Sequence, residues 1–281
     1  MYSLEVVIVL LLLFLAYVFN KPFVSYNEFE DAAKLSGYFY TLDLQDLRFR
    51  SSLSPEKYME KYLSCFERFS LWEKIKLNYA IHKISRILPD KLRRVKWKFA
   101  KLKVDYKVEY AYPHTMRDII ILNDNVLYGD KLLSTLIHEL VHVYQKLNPL
   151  DNDVLLSTMG FYRFDKIYKD IQYDFDNNIL PRSVANPDKG GDYYIIKNGH
   201  RFLLRTIYSN NYDGRDVKNI GISLENREIT QVNFQDDVMY QCQPNEIVAE
   251  LVCRVITRKG HVRQDFYTKI SEWLSRTVVQ E

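Results

Sequence analysis

The stretch Ser134–Pro149, STLIHELVHVYQKLNP, limits the fold more than any other part of the chain. Around it Leu132, Leu133, Leu136, Ile137, Leu140, Val141 and Tyr144 recur at helical spacing and cover most of the circumference. A helix that is apolar all round has to lie inside the fold, with other elements packed on every side. Asp130 is the expected N-cap, and Asn148-Pro149 ends the helix. Three polar, titratable side chains interrupt this apolar rod: His138, Glu139 and His142. Each needs a partner or costs stability when buried. Residues i and i+4 lie one above the other on a helix, so the two imidazoles can aim at one ion. Glu139 points about 100° away around the axis. That is too far round for a ligand of the same ion but close enough to reach a water beside it, where a general base belongs.

Zinc accepts neutral imidazole, and a catalytic site has three protein ligands and one open position. The third ligand therefore decides the class. The metzincin pattern puts a glycine three residues after the second histidine and a third histidine three further on. Gln145 and Asn148 hold those places here, which excludes that class. The other route is a downstream carboxylate. QPNEIVAEL, Gln243–Leu251, reads as a helix starting at Pro244, with Glu246 and Glu250 four apart on one face. Taken together, HELVH and NEIVAE resemble the gluzincin metallopeptidases, the thermolysin-like zincins. The resemblance covers these two helices and the strand before the first. It implies one Zn2+ ion held by His138, His142 and Glu246, with Glu139 as general base. It implies that Glu250 accepts a hydrogen bond from His138 and orients it; the family more often has Asp at that place. It also implies a Tyr or His that stabilises an oxyanion, for which Tyr240, His200 and His114 are the candidates. Finally, the strand nearest the active helix in such enzymes takes up substrate backbone by β-addition. That makes Met116–Asn123, or its sheet neighbour, the expected substrate edge.

The remaining pattern predicts an α+β fold: a zincin-like catalytic domain with its active-site helix on a mixed sheet, an inserted β-hairpin region and an N-terminal hydrophobic anchor helix. Ser54 to Leu88 reads as one helical stretch, capped by Ser54 and opened by Pro55. Lys91 to Lys107 is strongly basic, with Val95, Trp97 and Phe99 alternating against the charges as in a strand with one wet face. RDIIILND, Arg117–Asp124, is a buried-strand signal. Asn198-Gly199 between two apolar runs signals a hairpin, because both residues tolerate positive φ. ISLENREITQV gives a second strand pair, and QDFYTKISEWLSRTVV a last helix. The expected division is 1–20 as a transmembrane or signal-anchor segment, 21–53 as a connector and 54–281 as the catalytic domain, with a β-rich insertion at about 190–240.

The run Val6–Phe19 is unbroken and apolar, so residues 1–20 are expected to form an uncleaved single-pass membrane anchor, the alternative being secretion after signal cleavage. A net charge of +3 is too small to imply a polyanionic partner for the whole molecule. The three cysteines include no CxxC, which removes a cysteine zinc site. The expected function is a membrane-anchored, zinc-dependent metallopeptidase acting on a peptide or protein substrate. Two alternatives stay open: a nucleic-acid-associated zinc protease using residues 91–107, and a non-catalytic zincin-fold binding protein.

Overall fold

The computed structural model describes residues 5–9, 22–42, 44–50, 52, 54–164, 184–208, 217–226, 228–231 and 243–276. Its principal helices are α1 (Tyr26–Leu35), α2 (Pro55–Ser64), α3 (Leu71–Ser85), α4 (Leu132–Leu147), α5 (Pro149–Thr158), α6 (Pro244–Thr257) and α7 (Gln264–Ser275). Four strands form a first sheet: β1 (Phe66–Glu67), β2 (Phe99–Leu102), β3 (His114–Met116) and β4 (Ile119–Leu122), in the order β1-β2-β4-β3. The central pair β2–β4 is parallel and the outer pairs are antiparallel, so the fold is mixed α+β with a mixed sheet. Five more form an antiparallel meander: β5 (Tyr162–Arg163), β6 (Tyr193–Lys197), β7 (His200–Tyr208), β8 (Val217–Ser223) and β9 (Ile229–Gln231).

The run Ile119–Leu122 is buried at every residue because both faces of the first sheet are covered. Ile120 and Leu122 turn toward a core shared with α3, α4, α6 and α7. Ile119 and Ile121 turn toward a second core built with Phe29 of α1 and Tyr58 and Tyr62 of α2. A strand buried on both faces reads as a continuous apolar run rather than an alternating one. Helix α4 lies in the first core, with Leu136, Ile137, Leu140 and Val141 fully buried, and α6 packs along it.

Several expectations are corrected. Ser54 to Leu88 is two helices, α2 and α3, separated by β1. The break comes from a capping box: the Ser70 hydroxyl accepts from the Glu73 N–H, and Glu73 accepts from the Ser70 N–H. No strand runs through Val95–Lys98, where Lys96 is exposed; β2 begins at Phe99 and all four of its residues are buried. Lys101 is among them, held by Glu73 and Asp124 at 2.8 Å each. Lys131 rather than Asp130 occupies the N-cap position of α4. Residues 21–53, read as a connector, contribute α1, a 3-10 turn at Tyr38–Thr41 and a short helix at Leu44–Phe49 to the second core. Asn198 and Gly199 both have positive φ (53° and 79°), as the β6–β7 hairpin requires.

The single-pass anchor and the membrane localisation drawn from it are overturned. Among the described residues no helix is long and apolar enough to cross a membrane. Residues 5–9 are a short exposed helical piece, and the rest of residues 1–20 lies outside the described residues.

The second core encloses a polar cluster. Arg50 is fully buried, pairing with Asp46 at 2.7 Å and Glu109 at 3.2 Å. Tyr38 and Tyr58 donate to the Glu109 carboxylate. Burial, the largest single influence, would raise the Glu109 pKa, but the Arg50 charge together with the hydrogen bonds from Tyr58 and Arg50 outweighs it and holds the carboxyl below its ordinary value. Its stabilisation is therefore present above the unfolded carboxylate's pKa and is lost as pH falls through the folded value. Removing one partner of a buried pair costs about 3–5 kcal/mol. Glu109→Ala is expected to lower unfolding free energy by that order at pH 7 in urea titrations, and the gap between parent and variant should narrow in acid.

Candidate metal centre

Helix α4 presents His138 and His142 on one face, and the first turn of α6 brings Glu246 against them. Pro244 opens α6, and a carboxylate in its first turn lies at the positive end of the helix dipole. His138 Nε2 and His142 Nε2 are 3.0 Å apart, and Glu246 Oε2 is 3.1 and 3.2 Å from them. Bonds of about 2.0–2.1 Å at tetrahedral angles put neighbouring ligand atoms about 3.3 Å apart. The three atoms thus form one triangular face of a zinc-sized tetrahedron.

The surrounding groups fix this arrangement. His142 Nδ1 lies 2.8 Å from Gln145 Oε1, which can only accept, so Nδ1 carries the hydrogen and Nε2 offers its lone pair. Gln145 in turn donates to the Asn245 carbonyl, tying α4 to the residue before Glu246. The second Glu246 oxygen accepts from Asn186 Nδ2 at 2.6 Å. Glu250 Oε2 is 3.6 Å from His138 Nδ1, and its other oxygen accepts from Arg254.

Glu139 is 3% exposed, and its Oε2 has no hydrogen-bond partner among the described residues. A buried carboxylate oxygen left free beside two imidazoles suits a water-handling base, so these residues fit a metal and its water. Burial and the nearby Asp188 charge push Glu139 up to about 7, although both histidines act to lower it.

Asp188 offers a second grouping, Glu139–His142–Asp188, whose ligand atoms also lie within 4.8 Å of one another. Its carboxylate is already engaged: Lys146 Nζ is 2.7 Å away, and both the N–H and the hydroxyl of Thr115 donate to it. The His138–His142–Glu246 face has no such internal cation and is the better metal site.

The expected positions fall as follows. His138, His142, Glu246, Glu139 and Glu250 converge. His114 spends both ring nitrogens elsewhere, on Tyr62 Oη at 2.8 Å and the Tyr112 carbonyl at 3.0 Å. His200 is exposed beside the hairpin turn, where β7 starts. Neither joins the centre, and Tyr240 lies outside the described residues. Of the expected substrate edge, β4 is interior; its neighbour β3 is the sheet's rim. Sequence reasoning missed Asn186, Asp188 and Lys146. Lys146 alone carried a signal, since it continues the i, i+4 row of His138 and His142.

Burial would lower the pKa values of both histidines, yet Glu246 holds both above the ordinary value, and Glu250 adds to this at His138. Protons and a metal therefore compete for the same Nε2 atoms. Zinc affinity, measured against a chromophoric chelator, is expected to fall as pH drops. The slope should approach two decades per unit (about a hundredfold) once both imidazoles protonate. Gln145→Leu should weaken binding by about 10–100-fold, the usual cost of losing an orienting partner.

No family model matches the chain, and no curated protein or solved structure does either; the reading of this centre rests on its own geometry.

Proposed function

We propose that the protein is a zinc-dependent metallopeptidase, with His138, His142 and Glu246 as ligands and Glu139 as general base. The observation that carries this is the 3.0–3.2 Å triangle of Nε2, Nε2 and Oε2 atoms beside the unpartnered Oε2 of Glu139. Held there, Zn2+ supplies Lewis acidity, making a water acidic near neutral pH and polarising a carbonyl oxygen. Glu139 Oε2 takes the water's proton and returns it to the leaving amine. Gln145 and Glu250 keep the two imidazoles aimed, and Asn186 fixes the rotation of the Glu246 carboxylate.

The nucleic-acid alternative keeps only part of its charge: Arg94, Lys96, Lys103 and Lys107 are exposed, whereas the other four cations are paired. In the basic stretch Lys91 pairs with Asp151, Arg93 with Asp90, Lys98 with Asp118, and Lys101 with Glu73 and Asp124. Ammonium groups already neutralised in this way add little to phosphate binding.

Substituting Glu139→Gln separates catalysis from metal binding. Zinc content should be retained while peptide hydrolysis falls on the order of 10²–10⁴-fold. His142→Ala and Glu246→Ala should lose the metal itself. A Glu139→Gln protein that cleaves a fluorogenic peptide at the parent rate refutes the assignment.

A further inference from the structure

We propose that residues 184–191 are a built-in plug that covers the base side of the metal centre and takes the strand edge an incoming peptide needs, so that cleavage requires its displacement. This rests on the metallopeptidase reading.

The first observation is an asymmetry of access. The side chains of His138 and Glu246 are 20% and 23% exposed, so the metal-binding face opens to solvent on that side. Glu139, His142 and Asp188 are sealed, at 3%, 1% and 3%. A base that must meet both a water and a peptide cannot work from a closed wall. Asp188 is part of that wall: its carboxylate lies within 4.8 Å of ligand atoms of Glu139 and His142 on α4 and accepts from the Thr115 N–H on β3.

The second observation is the state of the rim strand. Because β3 borders the sheet, an extended peptide would add there through main-chain hydrogen bonds. Thr115 has nothing left to offer: its N–H donates to the Asp188 carboxylate and its carbonyl accepts from Lys146 at 2.8 Å. The Asp188 carboxylate thus stands in for the carbonyl of a substrate strand.

The third is how the segment is fastened. The Val184 N–H bonds to the Thr206 carbonyl of β7. The main chain of Ala185 is held by Asp46 and Arg50. Asn186 reaches Glu246, and Asn245 Nδ2 grips the carbonyls of Asp188 and Lys189. Gly190 has φ +68°, and a Cβ there would collide with the Asn245 amide. Around the metal centre these fastenings are side-chain hydrogen bonds and the Asp188–Lys146 ion pair. Such contacts can be exchanged for those of a substrate.

The test uses the zinc-loaded full chain and two variants. Asp188→Ala removes the acceptor facing Thr115 and Lys146. Gly190→Ala dislodges the segment while His138, His142, Glu246 and Glu139 keep their identities, and covers the case in which Asp188→Ala fails to fold; zinc is supplied at saturation, because moving Asn186 and Asn245 loosens the support of Glu246. Zinc content, hydrogen exchange at residues 114–116 and hydrolysis of an unstructured fluorogenic peptide are measured together. The expected result is unchanged zinc, faster exchange at Thr115 and hydrolysis at least about tenfold above the parent. With a parent that hydrolyses the peptide, retained zinc and faster exchange with hydrolysis no higher than the parent overturns the plug. So does unchanged exchange at Thr115 in both variants. Bound zinc with no hydrolysis in parent or variants removes the metallopeptidase reading instead. A parent that binds no zinc removes the metallopeptidase reading, and the plug with it.

Discussion

Three lone pairs pointed at one spot are the interaction on which the rest of the structure depends. Nε2 of His138, Nε2 of His142 and Oε2 of Glu246 face one another at 3.0–3.2 Å, where acceptors repel unless a proton or cation lies between them. Helix packing alone would not choose that register, since α4 and α6 are apolar enough to slide against each other. What fixes it is a polar lattice: His142 to Gln145, Gln145 to the Asn245 carbonyl, and Asn245 Oδ1 to Asn152 of α5. Inside a low-dielectric core such a lattice is strong when complete and costly when broken. It specifies one alignment of the two helices and so one position for Glu246.

The parts of this site legible in the sequence were those whose chemistry is local. Helical period places His138 above His142, and the same period places Glu246 above Glu250, whatever the rest of the chain does. The apolar circumference of α4 announces that it lies inside. The break between α2 and α3 was also written locally, in Ser70-Leu-Trp-Glu73, and was hidden because aromatic spacing continues across it. Lys101 was not legible. The strand period puts it on the same face as Trp97 and Phe99, where a charge is not expected, and Glu73 and Asp124 supply its counter-charges from remote positions.

Asp188 and Asn186 show the limit more sharply. Asn186-Pro-Asp-Lys-Gly-Gly191 reads as a turn, with no period and no motif. Its partners are Thr115, 73 residues away, and Glu246, 60 residues away. Nothing in the local pattern records that this turn returns to the metal face. The reason becomes visible only in three dimensions. Asp46 and Arg50, buried beneath the second core with Glu109, grip the Ala185 main chain and so decide where the segment enters the cleft. A polar cluster far from the metal in sequence therefore positions groups at the metal.

Charge around the centre supports the proposal of a single divalent ion. Four carboxylates gather there: Glu139, Glu246, Glu250 and Asp188. Lys146 neutralises Asp188, and Arg254 neutralises Glu250. Glu139 and Glu246 are left, two negative charges beside two imidazoles that must be neutral to act as ligands. Metal-free, the site meets that imbalance with protons, which is why both histidines and Glu139 lie above their ordinary pKa values. One doubly charged cation removes it outright, and a second would leave the pocket positive. Asp188, with its own cation beside it, is not needed in that balance and is therefore available for a different task, holding the rim of the sheet.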